Sequence, residues 1–348
     1  MFEKTTWIRL PRNVLVGHGV TDQLGEAVTG LKVGGDPLIV TSPTPDRLVG
    51  DRVREQFPDA DTITVESTGF ETVERVIEAA ADAKAGFLIA LGGGKPIDIA
   101  KMAADRHELG FVSVPTVASH DGIVSGRSSI PEADTRHSVA ADPPLAVVAD
   151  TEIIAEAPWK FTTAGCADII SNYTAVKDWR LAKRLKNVEY SEYAGALSEM
   201  TAEMLVGNAG SIKRGLEESA WIVVKALVSS GVAMSIASSS RPASGAEHLF
   251  SHQLDRIADS PALHGHQVGV GSIVTEYLHS GEGGQWSAIR EALDSIDAPT
   301  TAEELGIDEE TVIEAFTTAH TIRDRYTILG DGLSEDAAYE AASVTGVI

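Results

Sequence analysis

Histidines cluster in one part of this chain with a spacing that suits metal chemistry. Four of the ten histidines lie within residues 248–266, in the runs AEHLFSHQLD and LHGHQVGVG. His248 and His252 stand four residues apart and so share one face of a helix, and His264 and His266 follow in a second segment. Imidazoles from two segments and one carboxylate would make a three-ligand set with an open position, where a metal polarises a substrate oxygen.

The carboxylate that best completes this set is Asp168. It lies in TTAGCADIISNY, an apolar segment that otherwise has little reason to carry a charge. A lone buried aspartate is more often a helix cap or a paired residue, so both interpretations stay open at this point.

A glycine-rich turn predicts a second kind of site. The apolar run FLIAL leads into Gly92, Gly93 and Gly94, and the helical pattern IDIAKMAA begins directly afterwards. Glycines between a strand and a helix allow backbone N–H groups to approach a ligand, and a helix N-terminus attracts phosphate. Pro96 suits the first helical turn. The loop matches neither GxGxxG nor the phosphate loop of nucleotide triphosphatases, and a plain tight turn is the alternative.

Small hydroxyl residues gather after the next predicted strand, in VPTVASHDGIVSGRS. Loops at the carboxyl ends of parallel strands bind ligands in such folds. Thr116, Ser119 and Ser125 are therefore candidates to bond a cofactor, and Asp121 is a candidate to hold a substrate hydroxyl. Ordinary Asx or Ser/Thr turns would account for the same residues.

The elements that must position these residues change in character near Asp150. Before it, short β-rich runs alternate with amphipathic segments such as Glu71–Ala83, which predicts βαβ units and a parallel sheet. After it, Ala- and Leu-rich helical patterns dominate. We expect an α/β fold: a Rossmann-like parallel-sheet domain at 1–150 followed by an all-helical metal-binding domain at 151–348. The predicted strands are Pro37–Thr41, Thr62–Glu66, Phe87–Leu91, Phe111–Val114 and Leu145–Val148. The predicted helices of the second part are Phe161–Leu185, Glu192–Ala209, Leu216–Ser238, Gly245–Ile257, His266–Ser280, Gln285–Ile296 and Asp308–Arg323.

Charge and composition exclude several classes of protein. The 51 acidic residues against 28 basic ones give a net charge of -23, which argues against general affinity for nucleic acid or anionic membranes. The acidic excess suits a host with high internal salt. The start of the chain lacks a signal-peptide core, no wholly apolar run is long enough to span a bilayer, and Cys166 has no cysteine partner. We therefore expect a cytoplasmic protein.

An ordered series of motifs resembles the iron-type alcohol dehydrogenase, glycerol dehydrogenase and dehydroquinate synthase superfamily. The resemblance runs from WIRLPRNVLVGHGV through GGGKPIDIAK, SVPTVASHDGIVS, GCADIISNYTAVKDW and SGAEHLFSHQLD to LHGHQVGVG. Lys95 stands where many members have Ser, and SHDGIVS resembles the glycerol-1-phosphate branch. The fold that this resemblance implies is of the dehydroquinate synthase type.

The resemblance implies roles for individual residues. Asp168, His248 and His264 would bind one metal ion per subunit, usually Zn2+ in this branch. Asp121 and His252 would be catalytic and contact the substrate together with Asp168, while His266 has no implied role. The dinucleotide would be bound by Gly94, Lys95, Pro96, Ile97, Asp98, Thr116, Val117, Ala118 and Ser119, with Ser125 beside the nicotinamide.

The implied reaction is reversible reduction of dihydroxyacetone phosphate to sn-glycerol 1-phosphate, the backbone of archaeal membrane phospholipids. The implied assembly is a homo-oligomer whose partner is this small substrate, without nucleic acid and without insertion into a membrane. The second predicted strand ends Val40, Thr41, Ser42 with no acid before Asp46. An acid there favours NAD(H) through the ribose hydroxyl, so its absence predicts that NADP(H) is accepted as well.

Three alternatives keep part of this pattern. A glycerol or polyol dehydrogenase would use the same metal without a substrate phosphate. A dehydroquinate synthase would give no net oxidation, and SHDGIVS argues against it. A non-catalytic protein that senses dinucleotides would have no need for Asp168, His248 and His264, so their presence together argues against that class.

Overall fold

The computed structural model describes residues 5–132 and 135–348. Six strands form a parallel sheet in the order β1-β8-β5-β4-β2-β3, and β6 and β7 form a separate antiparallel pair. The strands are β1 Asn13–Gly17, β2 Pro37–Thr41, β3 Asp61–Thr64, β4 Phe87–Gly92, β5 Gly110–Pro115, β6 Arg127–Glu132, β7 Thr135–Ala140 and β8 Ala146–Asp150.

The predicted parallel sheet is confirmed. Every residue of β2, β4 and β8 is buried. A strand covered on both faces reads as a continuous run of Val, Ile and Leu, which is the pattern that predicted these strands. The sequence pattern did not predict β1 at the sheet edge or the β6–β7 pair. The core beneath the sheet includes Leu24, Ile39, Phe87, Ile89 and Val112.

Strand order reverses between β2 and β4, at the carboxyl ends of these two strands. The chain passes from β2 to β3 on one side, then crosses back so that β4 and β5 lie on the other side of β2. Such a reversal opens a crevice between the two strands, in which open α/β sheets bind ligands. The glycine turn that follows β4 lies at this point.

Helices dominate the chain after residue 150, as predicted. The α-helices are α1 Leu24–Thr29, α2 Pro43–Pro45, α3 Asp51–Arg54, α4 Phe70–Asp82, α5 Gly94–Arg106, α6 Thr151–Glu156, α7 Trp159–Lys186, α8 Glu192–Asn208, α9 Glu217–Ala237, α10 Ala246–Ile257, α11 His264–Ser280, α12 Trp286–Asp294, α13 Ala302–Leu305, α14 Glu309–Thr318 and α15 Glu335–Val344. Thr301 and Asp308 cap the helices that follow them, accepting bonds from the N–H groups of Glu304 and Thr311.

Packing divides the described chain into two compact units. The first contains the residues up to Thr162 together with Arg214–Ser238, and the second contains Thr163–Lys213 and Ser239–Ile348. Helix α9 therefore belongs to the unit that holds the sheet, where it contacts β1 and α6. The domain boundary at residue 150 stays a prediction.

Helix α9 is also the one helix of the described chain that is long and apolar enough to cross a membrane. Its most apolar 18-residue window has a mean hydropathy of 1.7 and is 44% buried. Buried core helices of water-soluble proteins reach the same values, and α9 packs against elements of its own unit. This finding is weak evidence for a membrane span.

Candidate active site

The glycine turn after β4 has the tight form that its sequence predicts. Gly92 adopts a φ of 145°, a conformation that favours glycine. Gly93 has an ordinary φ of -89°, and Gly94 has no positive φ either. A Cβ at Gly92 would lie 2.6 Å from Pro96 and 3.0 Å from Pro45. Helix α5 begins at Gly94, so its first N–H groups follow directly from the turn. This geometry suits the approach of a phosphate to backbone N–H groups.

The predicted dinucleotide residues at the start of α5 differ in exposure. The Lys95 ammonium donates to the carbonyl of Glu66 at 2.5 Å. Pro96, Ile97 and Asp98 are buried, and the Asp98 carbonyl accepts a bond from another buried residue, Ser128.

The segment after β5 lies against this turn. The Thr116 N–H donates to the Gly92 carbonyl at 3.0 Å. A Cβ at Gly93 would lie 3.0 Å from Val117 Cγ2. Thr116 and Ala118 are buried, whereas Val117 and Ser119 are half-buried. The structure therefore brings together the two segments that the resemblance assigns to the dinucleotide.

Asp121 begins a short 3-10 turn, Asp121–Ile123, directly after that segment. Its carboxylate Oδ2 accepts a hydrogen bond from the Ser230 hydroxyl at 2.8 Å. Its carbonyl accepts from the Ser125 N–H at 3.0 Å. Ser125 is fully buried, and its hydroxyl has no hydrogen-bond partner among the described residues.

In the second unit, Asp168, His248 and His264 form a compact cluster. Asp168 Oδ1 lies 3.7 Å from His248 Nε2 and 3.8 Å from His264 Nε2. One ligand atom from each residue lies within 4.8 Å of the others. Zinc bonds of about 2.1 Å at tetrahedral angles would separate ligand atoms by about 3.4 Å, so the cluster fits one metal ion. The carboxylate comes from α7, and the imidazoles come from α10 and α11.

Both imidazoles are oriented through their second nitrogen. His248 Nδ1 lies 2.9 Å from Glu247 Oε1, and His264 Nδ1 lies 3.0 Å from Ser251 Oγ. A hydrogen bond at Nδ1 fixes the ring and its tautomer, which directs Nε2 towards a metal. Glu247 is itself held by the Thr174 hydroxyl at 2.8 Å.

Glu247 and His248 stabilise each other's charged forms, which shifts the pKa of both groups. Burial alone would raise the pKa of Glu247, but the hydrogen bond and charge of His248 outweigh burial and hold that pKa below its usual value. Burial would lower the pKa of His248, but the nearby carboxylates of Asp168 and Glu247 raise it to about 9. A metal binds only the neutral form of an imidazole, so a proton and a divalent metal would compete for His248.

The two remaining histidines of the cluster differ in position. The His252 ring is stacked on the ring of His264, with centroids 5.6 Å apart. His266 Nε2 instead bonds the buried Thr163 hydroxyl at 2.8 Å. His264 shares the compact cluster and His266 does not.

Sequence reasoning missed Glu247, Ser251 and Ser230. Glu247 directly precedes a predicted ligand, and an acid beside a histidine is a usable signal for an orienting partner. Ser230 lies 109 residues from Asp121, and no local pattern connects the two.

Comparison with known proteins identifies the family. The chain is 76% identical over 348 residues to the glycerol-1-phosphate dehydrogenase (NAD(P)+) of Halorubrum lacusprofundi, covering 100% of this chain and 99% of the relative. It is 54% identical over 347 residues to the protein of the same name from Methanosarcina mazei, covering 98% of this chain and 97% of the relative. The chain belongs to the glycerol-1-phosphate dehydrogenase family. Residues 15–158 also match the iron-containing alcohol dehydrogenase family.

Solved structures confirm that the family's fold is shared by other dehydrogenases. Glycerol dehydrogenase from Schizosaccharomyces pombe superposes with a TM-score of 0.83 at 19% identity, covering 99% of this chain and 92% of that one. A probable glycerol dehydrogenase from Sinorhizobium meliloti 1021 gives 0.82 at 20% identity, covering 99% and 100%. At this identity the likeness shows the fold alone.

Proposed function

We propose that this chain reduces dihydroxyacetone phosphate to sn-glycerol 1-phosphate, reversibly, with NADH or NADPH. The observation that carries the proposal is end-to-end similarity, up to 76% identity, to relatives named glycerol-1-phosphate dehydrogenase (NAD(P)+). The Asp168, His248, His264 cluster supports it, because a ketone reductase of this type needs a built Lewis-acid site. The product would supply the backbone of membrane phospholipids.

The dinucleotide is proposed to lie over the turn at Gly92 and the start of α5. Backbone N–H groups there would bind its pyrophosphate, with residues 94–98 and 116–119 along it and Ser125 beside the nicotinamide. The absence of an acid at the end of β2, where Thr41 is followed by Ser42, supports the use of both dinucleotides.

Asp168, His248 and His264 are proposed to hold one Zn2+ per chain. When bound, the metal supplies Lewis-acid polarisation of the ketone and the nicotinamide supplies the hydride. The chain's own contribution is orientation: Glu247 and Ser251 fix the two imidazoles, and burial of Asp168 keeps water from the carboxylate.

The substrate is proposed to contact Asp121, Asp168 and His252. His252 lies one helical turn after His248, and its ring is stacked on His264, which places it beside the proposed ligand set. A histidine there can deliver the proton that completes the product hydroxyl. Asp121 would accept a hydrogen bond from a substrate hydroxyl.

We further propose that the enzyme is cytoplasmic and assembles into a homo-oligomer, without insertion into membranes and without binding nucleic acid. The net charge of -23 supports the last point, because phosphate backbones repel such a surface.

The test is oxidation of NADH or NADPH by the zinc-loaded protein in high salt, with chiral analysis of the product. Dihydroxyacetone phosphate should give rapid oxidation and the sn-1 product, while glyceraldehyde 3-phosphate should not. Turnover of unphosphorylated dihydroxyacetone alone would make the protein a polyol dehydrogenase. Dinucleotide binding without any turnover would make it a sensing protein.

A further inference from the structure

Ser230 on α9 is a buried serine whose hydroxyl serves a distant acid. The hydroxyl donates to Asp121 Oδ2 at 2.8 Å, and Ser230 is fully buried. Both residues belong to the first unit, which α9 joins although the chain on either side of it belongs to the second. A charge-assisted bond of this kind is about twice as strong as one between neutral groups.

The backbone of the turn that carries Asp121 is held by a second helix, α5. Lys101 on α5 is fully buried, and its ammonium donates to the carbonyl of Gly122 at 2.7 Å and to that of Arg127. The Gly122 N–H donates to His120 Nδ1 at 3.0 Å. These bonds hold the backbone next to Asp121, whereas the bond from Ser230 acts on its side chain.

Helix α9 approaches this turn closely. A Cβ at Gly231 would lie 3.0 Å from Val124 Cγ1 and 3.3 Å from the Ser125 nitrogen. Glycine at this position therefore allows the helix backbone to lie directly against the turn, and the neighbouring Ser230 hydroxyl reaches the carboxylate.

We propose that Ser230 is a positioning residue, which sets the plane of the Asp121 carboxylate for the substrate hydroxyl. This inference rests on the proposed function, in which Asp121 contacts the substrate. A bond at Oδ2 restricts rotation of the carboxylate, and that restriction places its acceptor lone pairs before the substrate arrives. In this proposal Ser230 acts through Asp121 and not by contact with the substrate.

The matched pair Ser230→Ala and Ser229→Ala tests this role. Among the described residues the Ser229 hydroxyl bonds the Lys225 carbonyl of its own helix, so it controls for loss of a hydroxyl on α9. We expect Ser230→Ala to lower kcat/KM for dihydroxyacetone phosphate by about 10- to 100-fold, since a bond to a charged group is lost. Zinc content and NADH affinity should stay at the wild-type values. Ser229→Ala should match the wild type throughout.

A double-mutant cycle with Asp121→Asn separates positioning from a structural role. If Ser230 acts through Asp121, adding Ser230→Ala to Asp121→Asn should cost less than about 3-fold. Equal losses in both backgrounds, or wild-type kinetics for Ser230→Ala, would overturn the proposal, as would parallel loss of NADH affinity. Substrate affinity in the presence of NAD+ is measured as well as turnover, so that the effect of a substitution can be determined even in a variant with very low activity.

Failure of the proposed function would appear elsewhere in the same experiment. It would show as a wild-type protein that does not reduce dihydroxyacetone phosphate. The double-mutant cycle would then use the ketone that the wild type does reduce, or it would compare binding affinities alone. Either version still measures the coupling between Ser230 and Asp121.

Discussion

At the scale of single residues, the decisive feature is that two imidazoles and one carboxylate present their ligand atoms to one point. Removing one ligand from a three-ligand set should release the metal. We expect His264→Ala and Asp168→Asn to lose bound zinc and activity together, and His252→Ala to keep zinc but lose turnover. Metal analysis after dialysis, beside NADH oxidation, measures both quantities.

His266→Ala is the matched control for these variants. His266 is a buried histidine two positions from His264, but its Nε2 bonds Thr163 outside the cluster. The His266→Ala variant should keep its zinc even if its melting temperature falls. Full zinc retention by His264→Ala, or zinc loss by His266→Ala, would reject the proposed ligand set.

Glu247 should strengthen zinc binding without being a zinc ligand. Its carboxylate holds His248 Nδ1 at 2.9 Å, and loss of such a partner weakens metal binding by about 10- to 100-fold. We therefore expect Glu247→Gln to raise the zinc dissociation constant by that factor in a competition assay with a chelator. Glu276→Gln is the control, because Glu276 is equally buried but pairs with Lys177 at 2.7 Å. An equal change in both variants would mean that burial of a carboxylate, and not its bond to His248, is responsible.

How far the sequence predicts this site depends on the separation of the residues involved. Helical spacing and a short stretch of chain single out the four histidines of residues 248–266, but the choice of His248 and His264 among them rests on the resemblance. Asp168 needed the resemblance as well, since a single acid in an apolar helix has several explanations. Ser230 was out of reach, because its contact with Asp121 exists only after α9 has packed into the first unit. The assigned roles of these residues stay predictions until they are tested.

At the scale of elements, the metal cluster depends on how closely α7 and α11 cross. A Cβ at Gly265 would lie 2.9 Å from Ala164 Cα and closer still to the Ala164 carbonyl group. Gly265 follows His264, and Ala164 precedes Asp168 by about one turn, so the crossing sets the separation of two proposed ligands. The small residue at this point permits the contact.

Gly265→Ala should therefore push the two helices apart. We expect a loss of about 1–3 kcal/mol in the free energy of unfolding and weaker zinc binding, measured by chemical denaturation and chelator competition. Gly207→Ala on α8 is the control, because a Cβ there has nothing within 4 Å. That variant should be neutral or gain up to about 1 kcal/mol, since alanine favours helices. Unchanged zinc affinity in Gly265→Ala would show that the crossing does not set the ligand geometry.

Sequence patterns predicted the elements best where burial is complete. Strand β2 was predicted with its observed bounds, because burial on both faces leaves a continuous apolar run. Strand β1 was missed, since it lies at the sheet edge and none of its five residues is fully buried. The membership of α9 in the first unit could not be predicted, because its apolar pattern specifies burial without specifying the partner.

At the scale of the whole molecule, charge and burial together predict how the fold responds to salt. A net charge of -23 repels itself, and screening shortens the reach of that repulsion from about 10 Å at 0.1 M salt to about 3 Å at 1 M. The compact state should gain more from screening than the expanded one, because its charges lie closer together. Molar KCl should therefore raise the melting temperature. Sucrose stabilises proteins by exclusion from their surface but does not screen charge, so it should raise the melting temperature less than KCl does.

Cys166 offers a direct measure of this effect. It is fully buried, and burial raises the pKa of its thiol to about 12, so at pH 8 the folded chain holds only a trace of reactive thiolate behind a closed surface. As the only cysteine, it gives one labelling signal. We expect slow reaction with a thiol reagent in 2 M KCl and fast reaction after dilution to low salt, at a rate that approaches that of the chain in guanidinium. Equally slow labelling in both salts would mean that self-repulsion does not open this fold, and that its acidic surface serves solubility instead.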